Sequence, residues 1–183
     1  MTSQPTELSK LSRRHLICGS LGALALPIAT PAFARAVEEP AAEGDERLMR
    51  IAIEEAALGD YPFGAVITRN GEILARGRNL GKQTQDPTAH GEMVAIRRFL
   101  AAHGPERLRG TTIYTSGEPC PMCMGAIIWC GIGRVVYAAS IAQLATKIGQ
   151  IMVTSSEHAE KTPFGTIRIT GGVLAGDAMK LFK

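Results

Sequence analysis

Pro119-Cys120-Pro121-Met122-Cys123, taken together with His90-Gly91-Glu92 earlier in the chain, is where the reading of this sequence starts. Two thiols three residues apart at the start of a helix lie on one face and can grip a single ion. The helix N-terminus favours the thiolate over the thiol, and Pro119 and Pro121 stiffen the approach. His90 supplies a third donor from another helix start, and three protein donors leave the fourth zinc position free for water. Glu92 can then manage the protons of that water. On an ideal helix an i,i+2 offset spans about 200°, so His90 and Glu92 reach one point only if His90 sits on an irregular first turn. Two helix starts facing one point place the site at the open end of a sheet. A redox dithiol and a structural zinc are the competing uses of C-x-x-C, but neither requires Glu92, and the latter needs a fourth ligand. His103 and His158 lack ligand-like spacing and read as surface or loop histidines. Cys130, in Ala126-Ile127-Ile128-Trp129-Cys130, reads as a buried small hydrophobe.

Outward from these motifs, the spacing of apolar residues predicts a helix from Asp45, as N-cap, through Leu48, Ile51, Ala52 and Ala56 to Gly59. Ala65–Thr68 and Glu72–Ala75 flank Asn70-Gly71, the favoured centre of a tight hairpin. Asp86-Pro87 reads as the opening of a second helix that runs to Gly104. Thr111–Thr115 is a strand, and Pro121 to about Cys130 a helix, apolar nearly all round and so expected to be buried. Arg134–Ala139 and Thr166–Thr170 are further strands, and Leu174–Phe182 a closing helix. In 141–163 the helical spacing of Ile141, Leu144, Ile148 and Ile151 is only partial. A hairpin followed by strand–helix alternation is an α/β pattern: a mixed five-stranded sheet with helices on both faces.

The N-terminus has a different character. Ser12-Arg13-Arg14-His15-Leu16-Ile17 sets twin arginines before an apolar run, and Ala32-Phe33-Ala34 offers a cleavage site before Arg35. Residues 1–34 are expected to be a bacterial twin-arginine signal peptide, 35–44 a flexible lead-in, and 45–183 the working domain. The mature protein would be periplasmic or exported and without a stable membrane span, because the run is short and broken by Gly19, Gly22 and Pro27.

With 183 residues, 45% of them hydrophobic and 20% charged, the composition is that of one ordinary globular domain. The formal charge is +3, and three cations against one anion within residues 1–34 leave close to +1 for the remainder. That argues against a nucleic-acid partner and for a small one. Arg69, Arg76, Arg78, Lys82, Arg97 and Arg98 read as solvated surface charge.

The pattern H-x-E…P-C-x-x-C resembles the signature of zinc nucleobase deaminases. Pro62-Phe63-Gly64-Ala65-Val66, Asn79, Asp86-Pro87-Thr88-Ala89-His90, Glu118-Pro119-Cys120-Pro121-Met122-Cys123 and Gly133-Arg134-Val135-Val136 are likewise similar to the cytidine deaminase-like superfamily, in the branch holding guanine deaminases, fungal-type cytosine deaminases and tRNA adenosine deaminases. The resemblance covers roughly 45–183. It implies a three-layer α/β/α sandwich, usually a dimer or larger. It also implies one zinc per chain on His90, Cys120 and Cys123, with Glu92 cycling protons. Asn79 would hydrogen-bond the base and Phe63 would lie in the base pocket; a turn role for Asn79 and core packing for Phe63 are the other readings. Cys-Pro-Met-Cys and Tyr137-Ala138-Ala139 resemble guanine deaminase, His90-Gly91-Glu92 resembles the cytosine enzyme, and Ile132-Gly133-Arg134-Val135-Val136 and Thr170–Leu174 resemble the tRNA enzyme. Where the guanine branch has an acidic stretch after Ser140, this chain has Ile141-Ala142-Gln143-Leu144-Ala145-Thr146-Lys147. The expected activity is hydrolytic deamination of a free nucleobase or nucleoside, guanine-type purines first. A tRNA adenosine deaminase and a cytosine deaminase are the alternatives. A non-catalytic zinc module is the remaining reading, and it has no use for Glu92.

Overall fold

In the computed structural model, which describes residues 36–183, Ala36–Glu38 is a strand where the sequence suggested a loose lead-in. The elements are β1 (Ala36–Glu38), α1 (Asp45–Ala57), β2 (Gly64–Arg69), β3 (Glu72–Arg78), α2 (Gly91–His103) and β4 (Thr112–Gly117). They continue with α3 (Pro121–Trp129), β5 (Arg134–Ala139), α4 (Ile141–Leu144), α5 (Ser155–Ala159), β6 (Ile167–Thr170) and α6 (Ala175–Met179). The six strands form one mixed sheet in the order β1-β6-β5-β4-β2-β3. Pairings from β1 to β4 are parallel and the two involving β2 antiparallel. The sixth strand is the difference from expectation. Ala36-Val37-Glu38 is too short for alternation to reveal, and what recruits it is the open edge of β6, to which the Glu39 N–H adds a bond at the Ile169 carbonyl. The signal and cleavage site read at 1–34 lie outside the described residues.

Side chains alternate across the sheet as a strand's period of two requires. Ala65, Ile67, Ile113 and Val135 face one side and join Phe99 of α2 and Met124 and Ile127 of α3. Val66, Tyr114 and Val136 face the other and join Leu48, Met49 and Ala52 of α1 and Ala178 of α6. This is the three-layer arrangement. At the hairpin, Asn70 and Gly71 both have positive φ, 50° and 78°, so the tight reversal is built as the dipeptide suggests. Gly77 marks the closest approach of helix to sheet: a Cβ there would stand 2.2 Å from the Gly91 carbonyl oxygen, so only glycine lets α2 lie this near β3.

Three local expectations are corrected. Asp86-Pro87 does not open α2. The Asp86 carboxylate accepts the Thr88 N–H and hydroxyl at 2.8 and 2.6 Å, a local turn that competes with helix, and α2 begins only at Gly91. Asp45 is the first residue of α1 rather than its cap; Gly44, left-handed at φ 87°, is the N-cap. And α3 is not buried all round. Only Cys123, Met124 and Ile127 are covered, while Trp129 is 76% exposed, because α3 packs on the flank of the sheet beside α5 and leaves its outer face open. Trp129 packs there against exposed Phe164, the rings tilted by 49° with centroids 4.6 Å apart. Among the described residues no helix is long and apolar enough to cross a membrane.

Candidate metal centre and substrate cavity

The carboxyl ends of β4 and β5, the start of β2 and the end of β3 meet at one end of the sheet, the place where open α/β sheets offer a crevice. Two helices begin there. His90 is the N-cap of α2 with φ −67°, ψ 159°, and Cys120 the N-cap of α3 with φ −65°, ψ 165°. Neither side chain caps its own helix; both turn into the crevice instead. His90 is thus outside the regular helix, and Glu92 lies within its first turn, which removes the facing problem of the i,i+2 offset.

His90, Cys120 and Cys123 bring their donor atoms within 4.8 Å of one another. The Cys120 and Cys123 sulfurs lie 3.7 and 3.6 Å from His90 Nδ1. A tetrahedral ion with Zn–S near 2.3 Å and Zn–N near 2.05 Å would set S···N edges of about 3.6 Å. The donors present therefore fit zinc, by chemistry and by spacing. Among the described residues no fourth His, Cys, Asp or Glu joins the group, the donor count of a site with an open position. The electrostatics point the same way. Cys120 is pulled down to about 4, first by its hydrogen bond with Cys123, against burial, and further by His90. Cys123 is pushed up because it shares that proton and is buried. His90 is raised, first by Cys120. One thiolate is thus favoured even without a metal.

Glu92 is 6% exposed and is pushed up to about 7, by burial first and then by the neighbouring Cys120 charge. A carboxyl shifted this way can both take and return a proton near neutral pH.

The site opens into a cavity of about 680 Å³. Phe63, Asn79, His90, Glu92 and Cys120 line it, so the structure brings these sequence candidates together, with Cys123 buried behind them. Phe63 does double duty: it faces the cavity and also packs edge-on against Phe182 at 5.4 Å. Asn79 is 4% exposed, and its carboxamide oxygen accepts the Gly81 N–H at 3.0 Å, so the turn role and the cavity position coexist. His103 and His158 lie elsewhere; His103 bonds the Leu74 carbonyl at 3.2 Å. Residues the sequence did not single out also line the cavity: Tyr61, Glu118, Met122 and the run Ile148–Ile151. Glu118 was legible only as a neighbour of Pro119. Ile148–Ile151 fall in the region whose helical spacing was incomplete, and their position depends on contacts far apart in sequence.

With this geometry in place, comparison with known proteins is informative. The family model for the cytidine and deoxycytidylate deaminase zinc-binding region matches residues 42–139. The chain is similar to the tRNA-specific adenosine deaminase of Bacillus subtilis, 44% identical over 99 residues, covering 52% of this chain and 62% of that protein. It is similar to the guanine deaminase of the same organism, 50% identical over 78 residues, covering 43% of this chain and 50% of that one. The chain thus spans between half and two thirds of the length of these relatives. Among solved structures, one from a study of A-to-I editing by tRNA:A34 deaminases is similar at 28% identity and a TM-score of 0.64, covering 74% of this chain and 98% of that one.

Proposed function

We propose that this chain, which belongs to the cytidine and deoxycytidylate deaminase zinc-binding family, is a zinc-dependent hydrolytic deaminase of a free nucleobase or nucleoside, with a guanine-type purine as the first candidate. The observation that carries the proposal is the convergence of His90, Cys120 and Cys123 beside a buried Glu92 in the wall of one cavity. Zinc held by His90, Cys120 and Cys123 would supply a water whose pKa is lowered toward about 7. Glu92 takes a proton from the attacking water and delivers it to the ring nitrogen beside the amino-bearing carbon. It then passes the second proton to the departing amine, so that water's oxygen replaces the amino group and ammonia leaves. Burial of Glu92 keeps bulk water from short-circuiting that transfer. The Asn79 carboxamide would hydrogen-bond the base and the Phe63 ring would pack on it.

A second reading, a tRNA adenosine deaminase, is supported by the similarity to such enzymes. It has one further observation in its favour: among the described residues, none but Glu92 and Glu118 brings a carboxylate to the cavity lining, and both Glu118 oxygens already hold backbone N–H groups. A guanine ring offers an N–H and an exocyclic amine that a free carboxylate would recognise. The near-neutral charge beyond residue 34 favours the small substrate. Ammonia release from the zinc-loaded protein, offered guanine, adenine, cytosine, their nucleosides and a tRNA anticodon stem-loop, separates these readings. Turnover of none of them overturns the proposal.

We propose also that residues 1–34 export the protein by the twin-arginine route; Arg13→Lys with Arg14→Lys in the full chain should hold it in the cytoplasm. We propose a homodimer, for which the exposed Trp129–Phe164 pair supplies apolar surface, and light scattering tests it.

A further inference from the structure

Glu118 sits between β4 and the ligand Cys120, and it is 6% exposed. Its N–H donates to the Ala139 carbonyl at 2.7 Å, which ties its main chain to the carboxyl end of β5. Each of its two carboxylate oxygens accepts one backbone N–H: Oε2 from Ile141 at 2.9 Å, Oε1 from Ser155 at 2.7 Å. These are the first residues of α4 and α5. In both helices a capping box satisfies the N-cap and third N–H groups, through Ser140 with Gln143 and Thr154 with Glu157. The first-residue N–H has no acceptor inside its helix, and both such donors converge on this one side chain.

Residues 145–153 run between the two anchor points. Among the described residues, every hydrogen bond this segment makes stays within 141–153. Its apolar hold is also concentrated at one end: Leu144 is buried and Ile148 half-buried, whereas Ile151 and Met152 are 65% and 60% exposed. Yet Ile148, Gly149, Gln150 and Ile151 form a wall of the cavity. A wall with so few cross-links takes its position from its ends.

We propose that Glu118 is the positioning residue for this wall. By clasping the Ile141 and Ser155 N–H groups it fixes 145–153 against the cavity, and because it immediately precedes Pro119-Cys120 it sets the wall relative to the metal ligands. The consequence for substrate rests on reading the cavity as the substrate site; the clasp itself does not. Glu118 acts through the segment it holds, not on the reacting atoms.

Two variants of the zinc-loaded full chain test this. Glu118→Ala removes both acceptors. Glu118→Gln keeps the shape but turns an NH2 toward one of the two N–H groups. Hydrogen exchange followed by mass spectrometry should show amides of 141–155 exchanging about ten-fold faster in Glu118→Ala and less so in Glu118→Gln, with zinc content unchanged. For the base that the substrate panel identifies, KM should rise about ten-fold while kcat stays within about three-fold, as loss of wall contacts shared by ground and transition state requires. Val135→Ala, a core change in β5 away from the segment, should lower the melting temperature comparably without moving KM or the exchange of 145–153. Unchanged exchange in Glu118→Ala overturns the proposal. So does zinc loss in step with activity, which would make Glu118 a support of the ligand loop alone, or a KM shift reproduced by Val135→Ala. If the unaltered protein turns over nothing on the panel, the functional reading fails, while exchange and zinc content still decide the clasp.

Discussion

The two helices that start at the metal centre and the two that start beside Glu118 share one backbone geometry and use it for opposite ends. His90, Cys120, Ser140 and Thr154 are all N-caps, with φ between −65° and −70° and ψ between 159° and 165°. At Ser140 and Thr154 the side-chain oxygen turns back to accept the N–H three residues on, at 3.2 Å in each case. At His90 and Cys120 the same position aims a metal donor into the crevice, and the helix goes without a side-chain cap. A missing cap costs about 1 kcal/mol. In α2 and α3 that is offset by burial of Ile96 and Phe99, and of Met124 and Ile127. The four-residue α4 and five-residue α5 also bury Ile141, Leu144 and Ala159, but helices this short carry almost no hydrogen-bond ladder of their own and keep their caps. A third solution appears at α1. Gly44 is the N-cap, and Asp45 in the first turn accepts the Ala42 N–H at 2.7 Å, two Arg134 N–H groups at 2.8 and 2.9 Å and the Tyr114 hydroxyl at 2.8 Å. The lesson is that a helix start is a generic projector of one side chain, and here the uncapped starts belong to the 13- and 9-residue helices while the 4- and 5-residue ones keep their caps.

That contrast can be broken most sharply at His90. His90→Ser replaces a donor by a good cap: zinc retention, measured by metal analysis after dialysis, should collapse and turnover with it. The metal-free form should gain about 0.5–1 kcal/mol in urea unfolding. A metal-free form that loses stability instead would show that His90 was serving its helix. Glu92→Gln, inside the same helix but no ligand, should keep its zinc and lose turnover by about 10²–10⁴-fold. Retained turnover would remove Glu92 from the chemistry.

Asp45→Ala tests the third kind of start. It strands Arg134, 7% exposed, without its principal partner, and removal of one member of a buried pair costs about 3–5 kcal/mol. The pH dependence carries a sign. Burial works to raise the Asp45 pKa, but hydrogen bonds from Arg134, the Ala42 N–H and Tyr114 outweigh it and leave it below the usual 3.8. The stability it contributes is therefore whole above about that value and is lost as pH falls from there through the folded-state pKa. Acid unfolding of the unaltered protein should show this loss, and Asp45→Ala should lack it. The smallest effect belongs to Thr154→Ala, about 1 kcal/mol with zinc content unchanged; a zinc change would mean that α5 and the metal centre are coupled more tightly than their separate caps imply.

What could be read from residues alone follows the same division. The candidate donor group was legible because spacing within Cys120–Cys123 and the pairing of His90 with Glu92 are local facts of helix geometry. The Asn70-Gly71 hairpin and the β5 boundaries, Arg134–Ala139, were legible because turn chemistry and apolar runs are local too. The start of α2 was misplaced because Asp86 found a nearer partner in Thr88 than the helix it was expected to cap. The exposed face of α3 was missed because composition states how apolar a helix is, not how much of it a neighbour covers.

By itself, then, the sequence singled out the residues that the fold brings to one crevice, His90, Cys120, Cys123 and Glu92, and the layered α/β plan, since each rests on the short-range periodicity of helices and strands. Only the tertiary structure decided that Ala36–Glu38 would close the sheet's edge on β6. It alone decided that Arg134 would find Asp45 across 89 positions, and that Glu118 would gather the N–H groups of Ile141 and Ser155. Those pairings join groups far apart along the chain, and no local pattern encodes which distant partner a buried edge, charge or N–H must find to be satisfied.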